Sequence, residues 1–305
     1  MKLIHKVEEC AVYESNKHSY ASSLFSFSSL AALHAPVKTF LLKTSSSGTP
    51  NYASSLLSNV ATLLKQQVNS YTSTSVKFKA LQVVPLKPFI EELHSDAEMR
   101  GMAYTLTLKL LADIGTQLEQ IRADHGLFIP FLSLEDIIVV VIHQNEEGEG
   151  KGEEKEEEGE GEGEGEGEGE GEESKGKGRA RWDKKTFHFI FINSEKLTQR
   201  QQQGDANHNN NNVIVDVPLK VNKHTSFLPA ELPESALKRL PMRLTTTSWC
   251  YSLSALCIYA LLQHKFKNGE DDIERVGRPF LHTSLYFCLK RCLKPDPEER
   301  VLLYV

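Results

Sequence analysis

Cysteine and histidine are the residues of this 305-residue chain with the widest range of chemistry, and their spacing limits what they can do. The five cysteines are Cys10, Cys250, Cys257, Cys288 and Cys292. An odd number without a C-x-x-C pair fits neither a disulfide framework nor a thiolate metal site. We therefore expect buried free thiols in a reducing compartment, the cytoplasm. His208 lies in a polar run and is expected to be a solvated loop residue rather than a metal ligand.

The charged residues are distributed unevenly along the chain. The formal net charge is −6, but residues 146–173 hold 16 Glu and 2 Lys, a net −14, so subtracting −14 from −6 leaves +8 on the remainder. Glycine and glutamate alone cannot form a packed core, so the surrounding segment 145–181 is predicted to be a disordered insertion. Its acidic run would suit a basic partner. The net charge of +8 on the other residues is spread along the chain without a Lys/Arg cluster, so we do not expect nucleic acid to be a partner.

Neither a secretion signal nor a membrane span is expected. Glu8 and Glu9 stand where a signal peptide needs its apolar stretch. The most apolar window, Trp249 to Leu262, has about fourteen residues, whereas a bilayer span needs roughly 20. This window is predicted to be a helix buried in a protein core.

Hydrophobic periodicity predicts the elements that position any site. The predicted strands are 37–44, 75–86, 136–142, 186–192 and 213–217, and the predicted helices are 52–68, 96–123, 248–263 and one near 279–293. The strands 136–142 and 186–192 are expected to pair as a hairpin on either side of the acidic insertion. Ser95 and Glu98 fit a capping box for the helix that ends at Gly126. A Gln/Asn-rich insertion occupies 199–212.

Several segments, in this order, resemble a protein kinase. The stretch RCLKPDPEER (291–300) is similar to the end of a kinase C-terminal lobe. SFLPAEL (226–232) resembles the segment ending in A-P-E, and SWCYSLSALCIYALL (248–262) resembles the central helix of that lobe. The resemblance implies an α+β, two-lobed protein-kinase-like fold, with a degenerate small N-lobe over 1–95 and a mainly helical C-lobe over 96–305.

The same resemblance assigns the catalytic positions of a kinase to unusual residues. Lys43 in FLLK is similar to the strand lysine, yet the first glycine of the chain is Gly48, so no Gly-rich phosphate loop precedes it. The helix 52–68 offers that lysine no acid. Phe131 takes the position of the catalytic base. Asp136 takes the metal-binding Asn position, where it either binds Mg²⁺ or caps the loop.

Asn193 takes the place of the Asp in D-F-G, and a neutral amide is a weaker Mg²⁺ ligand than a carboxylate. Because structural signatures persist while catalytic ones are replaced, the chain resembles a pseudokinase, similar to degenerate kinase-like proteins of large cytoplasmic DNA viruses. The implied function is binding of a protein partner, a kinase or its substrate, without a cofactor, in the host cytoplasm if the chain is viral.

Two other hypotheses stay open. One is a divergent active kinase that uses ATP and Mg²⁺ through Lys43, Asp136 and Asp183, since phosphoryl transfer depends mostly on positioning and charge neutralisation. The other is a different α+β interaction protein that carries an acidic tether.

The resemblance also implies one structural ion pair. In the kinase fold the Glu of A-P-E pairs with the Arg of D-P-x-x-R, and the matching residues here are Glu231 and Arg300, which are 69 residues apart. We expect a largely buried, bidentate pair, because guanidinium and carboxylate share a planar geometry. The apolar tail 301–305 would pack beside it.

Overall fold

The structure is a computed structural model, and it describes residues 1–15, 37–44, 52–143, 185–199, 212–215, 220–232 and 241–300. Some sequence predictions lie outside these ranges. They concern the acidic insertion 145–181, nearly all of the Gln/Asn-rich insertion 199–212, His208, Asp183 and the tail 301–305.

Five antiparallel strands form an N-terminal sheet in the order β1-β2-β3-β5-β4. The strands are β1 Lys2–Val7, β2 Cys10–Glu14, β3 Lys38–Thr44, β4 Val68–Thr72 and β5 Ser75–Ala80. Exposed and buried residues alternate along β3 and β5, as expected for strands with one covered face. On that covered face Phe40 stacks on Phe78, with ring centroids 5.9 Å apart. Helix α1, Ala53–Leu64, packs beside β4 and β5.

A second sheet of three strands has the order β10-β9-β6. The strands are β6 Gln82–Pro85, β9 Ile137–His143 and β10 Lys185–Phe191. The hairpin that the apolar patterns predict is confirmed, because β9 and β10 are antiparallel and Lys185 pairs with His143. Two-stranded pairs complete the strands: β7 Leu127–Phe128 with β11 Thr198–Gln199, β8 Leu132–Ser133 with β13 Ser226–Phe227, and β12 Asn212–Val215 with β14 Met242–Thr245.

The remaining helices of the described residues form two groups, one between residues 86 and 125 and one after residue 247. They are α2 Leu86–Ser95, α3 Ala97–Gly101, α4 Ala103–His125, α5 Ser248–Leu262, α6 Ile273–Val276 and α7 Ser284–Cys292. Helix α5 is buried along nearly its whole length, as its apolar sequence predicts, and it packs against α4. Helix α4 ends at Gly126, whose φ of +63° is the left-handed conformation that favours glycine at a helix end. No helix within the described ranges is long and apolar enough to cross a bilayer.

The fold is α+β, and its arrangement is compatible with the predicted two-lobed, kinase-like architecture. One apolar core runs through both halves, from Phe40 and Phe78 in the first sheet to Trp249 in α5 and Leu289 in α7. The N-terminal sheet and the C-terminal helices are therefore stabilised by the same buried apolar core.

Two of the predicted elements are each divided in the structure. The predicted strand 75–86 is divided into β5 and β6, and α2 follows directly from Leu86. The predicted helix 96–123 is divided into α3 and α4, and its cap is Asp96 rather than Ser95. The Asp96 carboxylate accepts from the N–H groups of Glu98 and Met99, at 2.8 and 3.2 Å, while Ser95 ends α2. Either residue suits a helix N-terminus, and the extended backbone at Asp96 decides between them.

The cysteines offer a direct test of burial. None of the five forms a disulfide. Four of them are buried, and Cys288 is the one that is partly exposed. Burial raises the pKa of Cys250 to about 12 and raises that of Cys257 well above its usual value, whereas a hydrogen bond with Cys292 lowers the pKa of Cys288. Because the thiolate is the reactive form, iodoacetamide at neutral pH should alkylate Cys288 first. Mass spectrometry of the native protein checks this, and equally fast modification of Cys257 would contradict it.

Candidate functional site

The centre of the candidate site is Asp136, which ends a short 3-10 turn between β8 and β9 and is 1% exposed. Its side chain closes this turn, because Oδ2 accepts a hydrogen bond of 2.7 Å from the backbone N–H of Ser133. The Ser133 hydroxyl in turn lies 2.8 Å from the hydroxyl of Ser226, on the neighbouring strand β13. The position that the resemblance gives to a metal ligand therefore belongs to a buried, hydrogen-bonded turn.

A lysine ammonium neutralises this carboxylate. Lys196 Nζ lies 2.6 Å from Asp136 Oδ2 and 2.7 Å from the Ser133 hydroxyl. The two charged side chains are 11% and 2% exposed, so this is a largely buried ion pair. Asn193 completes the group, since its amide Nδ2 donates to Asp136 Oδ1 at 2.8 Å. Both carboxylate oxygens therefore already have donors within the protein.

The residues present do not fit a magnesium ion. A divalent metal needs free oxygen ligands, and it repels a neighbouring ammonium group. Here the Asn193 amide oxygen accepts from the N–H of Glu195 at 3.2 Å, and Asp136 is occupied by Lys196 and by the amide of Asn193. The Lys196 ammonium supplies the positive charge that the carboxylate requires, so no coordination sphere is available.

Phe131, which the resemblance places at the catalytic-base position, is fully buried. The Lys196 ammonium lies 4.2 Å from the centre of its ring, close enough for a cation–π contact. Phenylalanine has no group that accepts a proton. The position therefore serves packing and charge stabilisation rather than acid–base chemistry.

The β1–β2 turn lies beside this site, since Lys220 Nζ is 2.5 Å from Glu8 in that turn and 3.9 Å from Glu195. In this turn Glu8 adopts a φ of +48° and its carboxylate lies 2.5 Å from Lys220 Nζ. Burial, and then repulsion by Glu8, raises the pKa of Glu195, which sits at the opposing turn after β10. With Glu9 beside them, three acidic residues and one lysine border the site, so its rim is negative.

The same hairpin contacts the site directly. Cys10 Sγ lies 3.4 Å from the hydroxyl of Ser194, and His5 Nε2 lies 2.7 Å from the carbonyl oxygen of Glu135. These are contacts between β1 and β2 and the two turns that hold Asp136 and Asn193. The hairpin therefore rests on the site without a gap at these points.

Lys43 is not part of this site. It is exposed on β3, whereas its neighbours Leu42 and Thr44 are buried on the opposite face of the sheet. Adjacent residues of a strand point to opposite faces, so the inward direction of Leu42 fixes the outward direction of Lys43. The assignment of this lysine to the site is corrected on that ground.

The structure brings Glu231 and Arg300 together. Arg300 Nη1 and Nη2 donate to the two carboxylate oxygens of Glu231 at 2.7 Å each, and the Arg300 side chain is 0% exposed. The remaining donors of the guanidinium bind the backbone oxygens of Lys294 and Pro295 at 2.7 and 2.9 Å. Ser248, the first residue of α5, donates to Glu231 at 2.6 Å. This bidentate pair ties the segment before β14 to the last turns of the described chain.

Sequence reasoning missed Lys196 and the β1–β2 hairpin. The available signal for Lys196 was its spacing, three residues after Asn193, because one 3-10 turn brings residues i and i+3 to the same side. The signal for the hairpin was the run of mixed apolar and polar residues over 2–14, interrupted by two glutamates.

Comparison with known proteins adds a distant likeness. No family model matches the sequence. No curated protein matches it either. Among solved structures the fold is similar to that of a rhoptry kinase from Toxoplasma gondii, with 12% sequence identity and a TM-score of 0.46 over 99% of this chain and 73% of that chain. The residue roles proposed below therefore rest on the contacts described above.

Proposed function

We propose that this chain is a pseudokinase, a kinase-like protein that binds a protein partner and does not transfer phosphate. The observation that supports this best is the buried pair of Lys196 and Asp136, at 2.6 Å. In a kinase this position helps to hold a metal ion that neutralises the phosphates. Here the carboxylate is neutralised from within the chain.

A metal ion could enter only at a high energetic cost. It would have to displace the Lys196 ammonium from Asp136 and leave it buried without its carboxylate, and breaking one side of a buried pair typically costs about 3–5 kcal/mol. The amide of Asn193 adds no negative charge to offset this loss. The site therefore favours its internal lysine over an external cation.

The surroundings also disfavour the phosphates of ATP. Glu8, Glu9 and Glu195 border the site, so a nucleotide polyphosphate would meet like charge. Backbone approach to phosphate normally requires glycine, and this turn has none. The contact of Cys10 with Ser194 at 3.4 Å also fills part of the space between the hairpin and the site.

The remaining parts of the proposal follow from the resemblance. A fold of this kind without phosphoryl transfer acts through its surface, so we propose a protein partner in the cytoplasm, either a kinase or the substrate of one. No cofactor is required for such binding. The acidic run 146–173 is a further element that a partner could contact.

Millimolar Mg-ATP should not raise the melting temperature of this protein. A ligand that binds only the native state at 100 times its Kd stabilises it by about 2.7 kcal/mol, which would shift the melting temperature by several degrees. We expect a shift below about 1 °C, the effect of binding far weaker than millimolar. The Lys43→Ala variant should behave identically, because Lys43 lies on the other face of the sheet.

Differential scanning fluorimetry measures this, with MgCl₂ alone and ATP alone as controls. A rise of several degrees that Lys43→Ala abolishes would support the divergent active kinase instead. A rise that persists in Lys43→Ala would also contradict the proposal, since it would show nucleotide binding through other residues.

A further inference from the structure

The face of the N-terminal sheet that is turned away from the apolar core is basic. It carries four exposed lysines, Lys6, Lys43, Lys77 and Lys79. Directly paired residues of antiparallel strands share a face. Lys6 and Lys43 both pair with Ala11. Lys77 and Lys79 pair with residues 41 and 39 of β3, which point to the same side as Lys43. We call this surface the outer sheet face.

A row of apolar side chains crosses the middle of the outer sheet face. Leu3 pairs with Tyr13, and Tyr13 pairs with Leu41, so the three side chains are neighbours on β1, β2 and β3. Leu3 is 51% exposed, whereas Tyr13 and Leu41 are half-buried. Lys77 continues the row on β5. Exposed apolar side chains bordered by charged ones are typical of a surface that binds a partner.

The strands of this sheet place no negative charge on the outer sheet face. Glu14 is the one acidic residue within β1 to β5, and it pairs with Phe40, whose side chain lies on the covered side. Its carboxylate is also bound by Lys38 at 3.0 Å, so that lysine is neutralised while the four on the outer sheet face are not. A surface with positive charge alone attracts anions.

The lysines of this face are spread over two dimensions. Lys6 and Lys79 are separated by three strand spacings, about 14 Å, and by four residues along the strand direction, about 13 Å. Lys43 and Lys77 lie between them. A linear acidic segment follows one line across such a face, whereas a layer of anionic headgroups contacts all four lysines. The apolar row suits the same partner, because leucine and tyrosine side chains enter the boundary between headgroups and acyl chains.

We propose that the outer sheet face binds the surface of an anionic lipid bilayer as a peripheral contact. Each lysine close to such a surface strengthens binding about fivefold, and the apolar row supplies the second signal that stable peripheral binding requires. The whole chain has a net charge of −6, so attraction to an anionic bilayer must come from a local surface. The inference goes beyond the proposed pseudokinase function, since it involves neither Asp136 nor Lys196.

Co-sedimentation of the full chain with lipid vesicles tests this proposal. The vesicles contain phosphatidylcholine with about one third phosphatidylserine, and pure phosphatidylcholine vesicles serve as the neutral reference. We expect binding to the anionic vesicles alone, and binding about 25-fold weaker for Lys43→Gln combined with Lys77→Gln, the product of two fivefold losses. The matched control is Lys65→Gln combined with Lys87→Gln. It removes the same charge from exposed positions outside the five strands and should bind as the parent does.

Salt provides a second measurement. Raising the ionic strength to about 1 M shortens the Debye length to roughly 3 Å, so it should release the protein from the anionic vesicles. Absence of binding to these vesicles would overturn the proposal. Equal losses in the two double variants would also overturn it, since they would show an attraction that belongs to no particular face. Salt-sensitive binding to soluble polyglutamate in place of the vesicles would assign the outer sheet face to an acidic protein segment, and the lipid proposal would be wrong.

Discussion

Replacing Glu231 by alanine should lower the free energy of unfolding by about 3–5 kcal/mol, the usual cost of leaving a buried charge without its partner. The reason is the environment of Arg300, whose side chain is 0% exposed and has two of its hydrogen bonds on this carboxylate. Without Glu231, the guanidinium keeps hydrogen bonds only to the backbone oxygens of Lys294 and Pro295. Urea denaturation measures the difference.

The partner variant and a surface pair provide the controls. Arg300→Ala should cost a similar amount, and the double variant should cost less than the sum of the two, because the residues act as one unit. Glu270→Ala removes the exposed pair with Lys267, at 2.9 Å, and should change stability by less than about 0.5 kcal/mol. Additive single variants would mean that the two residues contribute separately.

Replacing Lys196 by methionine should have the second large effect, again about 3–5 kcal/mol of lost stability. Methionine preserves most of the apolar stem but removes the ammonium, so Asp136 becomes a buried carboxylate with no opposite charge. The remaining donors to Asp136 are the N–H of Ser133 and the amide of Asn193. Thermal and urea unfolding of the variant measure the loss.

A second substitution should recover much of this stability. In Lys196→Met combined with Asp136→Asn, the neutral amide oxygen still accepts from the N–H of Ser133 and no buried charge is left. Lys220→Met is the matched control, because Lys220 borders the same site with a side chain that is 75% exposed, and it should leave the stability almost unchanged. If Lys196→Met costs no more than Lys220→Met, the internal pair does not stabilise the site.

The predictable parts of the fold are those with strong local patterns. The β9–β10 hairpin and helix α5 are predictable because their apolar runs are compatible with few other secondary structures. Glu231 and Arg300 are predictable because each lies within a short sequence motif. The strands β1 and β4 lack such patterns. A register shift between Leu3 and His5 interrupts the alternation in β1, and β4 is largely exposed. Their pairing depends on neighbouring strands, which local sequence does not specify.

The residues of the candidate site likewise differ in how far the local sequence predicts their positions. The resemblance to the kinase strand lysine assigns Lys43 to the site. The strand sequence does not test that assignment, because Leu41 and Leu42 are both apolar and either face of the strand is compatible with burial. Burial of Phe40 and Leu42 decides it and turns Lys43 outward. The role of Lys196 cannot be predicted from hydrophobic periodicity, because it depends on a tertiary contact with Asp136, which lies 60 positions earlier in the sequence.

The link between β5 and β6 has a consequence for motion. Leu81 alone separates the two strands; it is buried, and its N–H is bonded to Val141. Rotation of one lobe against another needs a few residues that can absorb changes in φ and ψ. Here only Leu81 lies between the two strands, and its N–H group is already hydrogen-bonded. His5 and Cys10 also contact the turns that hold Asp136 and Asn193, so the described residues provide no free hinge between the two sheets. The protein partner that we propose would therefore bind one fixed arrangement of the two sheets rather than draw them together.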